Sequence, residues 1–127
     1  MCGIPHIMGF EGKYGLSVVT SGGGDEPPVR AYMSRFLMAT GIVSAGEVRA
    51  TMGLVRGDDM PADIATRAES LGRKLVNAWR NQAEPDPAVK RDMDEFRERM
   101  RQLMLWKKDE WPWEFRYRVE NRGLEQG

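Results

Sequence analysis

Thr20, Ser21, Gly22, Gly23, Gly24 and Asp25 follow one another in the chain and carry groups suited to meeting a cofactor. Thr20 and Ser21 have short hydroxyls that both donate and accept hydrogen bonds. Three glycines without Cβ let backbone approach a flat ring closely and take positive φ. Glycines ahead of a helix also suggest a phosphate cradle. Asp25 and Glu26 argue against a cradle here, because carboxylates at the helix start repel a phosphate. Asp25 is read either as the acid of this site or as the cap of the following helix.

Other chemistry has little to work with. The chain holds one His and one Cys. Cys2 and His6 stand four apart, and a metal site would need one or two further donors. They are read as an ordinary thiol and imidazole. With a single His, no His–carboxylate acid/base pair is expected elsewhere, and no catalytic residue is assigned. One cysteine permits no intrachain disulfide and fits a reducing cytoplasm. The methionines sit mostly at core spacing and read as gap-fillers.

The elements that must position the loop are legible from periodicity. Residues 14–20 read as a short buried strand bounded by glycines, with Leu16, Val18 and Val19 as its apolar members. A helix is predicted over 28–40, where Val29, Tyr32, Met33, Phe36 and Leu37 recur at helical spacing. Its prolines suit the first turn and Gly41 suits the C′ position. Residues 42–52 read as a second strand, with Gly46 marking a bulge. One helix between two strands implies a right-handed βαβ crossover in a parallel sheet. Residues 61–82 form the clearest helix. Its stripe is Ile64, Ala65, Ala68, Leu71, Leu75, Val76 and Trp79, and Gly72 suggests close packing against the sheet. Residues 1–12 read as a loop.

The AEPDP break at 83–87 divides a unit at 1–83 from an extension at 84–127. The extension opens with an amphipathic helix over 88–105. It continues in an aromatic stretch containing Trp106, Trp111, Trp113, Phe115 and Tyr117, expected to pack back on the domain or on a neighbouring subunit. Residues 88–122 carry ten Lys/Arg and eight Asp/Glu, a balance that favours packing over nucleic-acid binding. The whole chain of 127 residues has 19 basic and 19 acidic side chains, so it has no general attraction to nucleic acid or anionic membrane. No apolar run is long enough to span a bilayer, and no signal peptide is read at the start.

Two strands are few for a doubly wound domain, which needs about five. The fold class is therefore α/β, a partial three-layer parallel sheet with a helical and aromatic extension. The missing strands are expected from another segment or subunit, which makes a homo-oligomer or a strand-supplying chain the expected partner.

The stretch YGLSVVTSGGGDEPP and the tail LWKKDEWPWEFRYRVENRGL resemble the flavodoxin-like NAD(P)H-dependent FMN reductases, most nearly their iron–sulfur flavoprotein-like branch. The resemblance covers residues 12–82 as the carboxyl half of that fold, with the tail as a subgroup extension. It implies an oxidoreductase that binds FMN, reduced by NAD(P)H. Thr20, Ser21, Gly22, Gly23, Gly24 and Asp25 would then form the isoalloxazine side of the site. The family's phosphate loop, which follows its first strand, has no counterpart here. Its iron–sulfur cluster is not carried over, since Cys2 stands alone and four thiolates are usual. The alternative is a non-enzymatic oligomerisation or partner-binding module that keeps the fold without flavin.

Overall fold

The computed structural model describes residues 3–23, 26–51 and 60–122. In chain order the elements are α1 (Gly3–Ile7), β1 (Tyr14–Ser21), α2 (Glu26–Thr40), β2 (Val43–Thr51), α3 (Met60–Arg80), α4 (Pro87–Trp106) and α5 (Pro112–Arg122). The chain is mixed α/β: β1 and β2 pair in parallel as a two-stranded sheet. A parallel pair needs a crossover, and α2 supplies it.

Alternation along the strands sorts their side chains between two helical layers. Glu47, Arg49 and Thr51 share one face of β2, and each is bonded or paired to α2 through Arg30 or Glu26. Gly46 and Val48 lie on the other face, which α3 covers. Leu71 of α3 is buried there, and a Cβ added at Gly46 would stand 2.9 Å from its Cδ1. The predicted bulge is present: Gly15 pairs with Ser44 but Ser17 with Glu47, so β2 carries the extra residue, and Gly46 takes φ +130°. The expectation for Gly72 is corrected. A Cβ there meets nothing within 4 Å, so the close helix–sheet approach is made at Gly46 instead.

Three helices end in the same motif, a 5→2 bond with a 6→1 bond around one residue of positive φ. After α2 the residue is Gly41 (φ +91°), as its sequence position suggests, with Gly41 N–H donating to Met38 O and Ile42 N–H to Leu37 O. A Cβ at Gly41 would also stand 2.9 Å from the Glu11 backbone nitrogen. After α1 and α3 the same place is held by Met8 (φ 44°) and Gln82 (φ 49°). These side chains carry no glycine signal.

Residues 3–7 are helical, which corrects the loop expected over 1–12. A five-residue helix is too short for periodicity to reveal, and it is held by tertiary packing. Met8 just beyond it is fully buried, as is Met104 of α4. Burying such a side chain is worth about 1.5–3 kcal/mol. The His6 ring stacks on Trp111 at 4.3 Å between centroids, and Arg118 Nε donates to His6 O at 3.1 Å. Arg97 Nε donates to Glu11 Oε1 at 2.8 Å. The aromatic extension thus packs back on the chain, and its helical part α5 was not foreseen.

Candidate functional site

Both strands run toward the same edge of the sheet, where β1 ends at Ser21 beside Thr51 and Thr20 beside Ala50. The glycine loop leaves from there. Thr20 is exposed and Ser21 half-buried, and Gly22 and Gly23 are exposed. Gly23 has φ +149°, a conformation that favours glycine, and its N–H donates to Ser21 Oγ at 3.2 Å. A Cβ added at Gly22 or Gly23 meets nothing within 4 Å. The loop therefore presents backbone with open space beside it. Gly24 and Asp25 lie outside the described residues, and with them the two readings of Asp25.

Glu26 begins α2 and is the acid most firmly built into this edge. Its carboxylate accepts from Thr51 Oγ1 at 2.9 Å and from Arg49 Nη1 at 3.2 Å, and Arg30 Nε stands 3.8 Å away. The Thr51 hydrogen bond is the largest influence on its titration. With the Arg49 hydrogen bond and the charges of Arg49 and Arg30, it outweighs burial and holds the carboxyl below the usual carboxylate range. The start of α2 is thus already served by a carboxylate of the chain, which repels a phosphate at that position. Sequence reasoning placed Glu26 at the helix start but not its reach to β2. The signal was there in Arg49 and Thr51, two apart and hence on one face of a strand.

A second feature went unseen in the sequence. Between α2 and β2 lies an open cleft of about 470 Å³, lined by Ser17, Arg30, Ser34, Ser44 and Glu47 among others. Arg30 Nε donates to Glu47 Oε1 at 2.6 Å, and this bond raises the guanidinium pKa. The cleft's principal charges therefore satisfy each other. None of the described loop residues lines it.

His6 serves packing through Trp111, and Cys2 lies outside the described residues. Among the described residues no three His, Cys, Asp or Glu side chains are grouped to hold a metal ion. No helix there is long and apolar enough to cross a membrane. No family model, curated protein or solved structure matches the chain.

Proposed function

We propose that this chain is the carboxyl-side portion of a flavodoxin-like, NAD(P)H-dependent oxidoreductase and forms the isoalloxazine wall of an FMN site. The observation that carries the reading is the open backbone at Gly22 and Gly23, at the edge where two parallel strands end. Ligands of open α/β sheets bind at that end. A flat ring needs this freedom from Cβ, and the donors suited to it are the loop N–H groups with the hydroxyls of Thr20 and Ser21. Gly24 and Asp25 belong to the same proposed wall. Hydride transfer would be the flavin's own chemistry, so the chain's part is to seat and orient the ring. The Glu26 carboxylate keeps the phosphate away from α2, and its binding falls to another segment or subunit.

Titrating FMN into the purified chain and following its fluorescence tests this. Saturable quenching, weakened by Gly23→Val, supports it. No saturable quenching up to high micromolar FMN overturns flavin binding by this chain.

One observation favours the second reading, an assembly module without flavin. Val18 stands on the uncovered part of the sheet and is 62% exposed, while its partner in the ladder, Val48, is 7% exposed. Apolar surface beside a strand edge that is unfilled among the described residues suits a protein partner whatever the loop binds.

A further inference from the structure

The side chains of α3 divide into two arcs. Leu71 is buried against the sheet, with Ile64 and Leu75 half-buried beside it. Ala65, Ala68, Gly72, Val76 and Trp79 lie within about a quarter-turn of one another at about 3.6 residues per turn. That second arc looks toward β1: Leu75, Val76 and Trp79 border a cavity of about 350 Å³ together with Gly12, Lys13 and Tyr14. Ala65 and Ala68 are exposed, Val76 is 42% and Trp79 61% exposed, and a Cβ at Gly72 would meet open space. An apolar stripe thus runs along α3 beside a sheet edge that no strand fills among the described residues.

We propose that this stripe and the free edge of β1 receive a second copy of the chain, related by a two-fold axis passing beside Gly72. The order of sizes along the helix argues for a second copy. Ala65 and Trp79 lie equally far from Gly72 in sequence, and so do Ala68 and Val76. Antiparallel pairing about Gly72 sets each small residue of one helix against a large residue of the other, with glycine where the helices approach most closely. Charge is compatible with the same symmetry. Glu69 and Arg73 border the stripe and pair with each other within α3, and about the axis at Gly72 the Glu69 of one helix also lies two residues from the level of Arg73 of the other. A two-fold axis normal to the sheet also lays β1 antiparallel to its copy, covering Val18. Pairing centred on Ser17 or Val18 sets the second copy's Lys13 opposite Ser21 or Gly23. The second copy then brings a cation to the glycine loop. The pairing does not rest on flavin binding, and its test contains no flavin.

Light scattering on the full chain reads the mass directly. A dimer of about twice 14.4 kDa is expected, and a monomer at every concentration up to high micromolar overturns the proposal. Gly72→Cys in a Cys2→Ala background should cross-link on oxidation, because a residue beside the axis meets itself. Lys74→Cys in that background should not. A dimer that fails to cross-link at 72, or that cross-links equally at 74, overturns the assignment to α3. Val76→Glu, checked for unchanged helicity by circular dichroism, should halve the mass. A folded Val76→Glu chain that remains dimeric overturns it as well.

Discussion

On the β2 side, the sheet is finished with charge. Glu47 pairs with Arg30 and Arg49 with Glu26, and the Arg49 carbonyl accepts from Arg67 Nη1 at 3.2 Å. On the β1 side Val18, Val76 and Trp79 are exposed large apolar residues. Sheet edges in soluble proteins are blunted with charge or covered. The β2 side carries ion pairs with α2 and a polar cleft, and the β1 side leaves large apolar side chains in the open. The two differ as a surface differs from an interface, although they belong to one small sheet.

Four substitutions break or sharpen that contrast. The largest effect is expected at Gly46, the residue on which α3 rests. Gly46→Ala forces a side chain into φ +130° and toward Leu71, and should destabilise the fold by about 2 kcal/mol in urea unfolding. Because α3 carries the apolar stripe, assembly should weaken with it. A smaller effect is expected at Val18. Val18→Lys should leave the monomer within about 0.5 kcal/mol of its original stability, as at ordinary exposed positions. Yet it should raise the dimer dissociation constant measured by sedimentation. Its counterpart on the charged side, Arg67→Lys, should leave that constant unchanged.

The smallest effect concerns titration on the charged side. Glu26 has a folded pKa below its ordinary value of 4.5, so its contribution is present above that value and is lost as pH falls through the lowered one. Thr51→Val removes the largest cause of the shift. A carboxyl NMR titration should then find Glu26 protonating nearer the ordinary range. Glu98 is a reference in the same titration. Its hydrogen bonds from Arg101 and Gln102 hold it at about 2, and Thr51→Val should not move it.

Periodicity revealed the elements long enough to carry it. Both strands, α2, α3 and α4 stand close to where the spacing of Val48, Leu37, Leu71 and Met93 places them. The bulge at Gly46 and the stop at Gly41 were legible because glycine is the residue such backbone favours. Met8 and Gln82 perform the same turn as Gly41 with ordinary side chains, and so their turns were hidden. The stripe on α3 showed its apolar members but not its two arcs. Ala65 and Leu71 look alike in a pattern, and only the position of the sheet separates them. Of the proposed site, the loop was readable as a loop. The inward reach of Glu26 and the Arg30–Glu47 cleft depended on strand register, which a bulge shifts by one residue.

The hold of Arg118 and Trp111 on His6 has a consequence for how the protein is made. Arg118 stands 112 positions after the residue whose carbonyl it grips. The ribosome therefore delivers α1 long before it delivers the aromatic ring on which α1 rests. At about 5–20 residues per second, that wait lasts roughly 5–20 seconds. During synthesis the sheet layer can close around α2 and α3, with α1 resting on α2 but lacking its cover from α4 and α5. That interval ends when Trp111 stacks on His6 and Arg118 of α5 closes on its carbonyl.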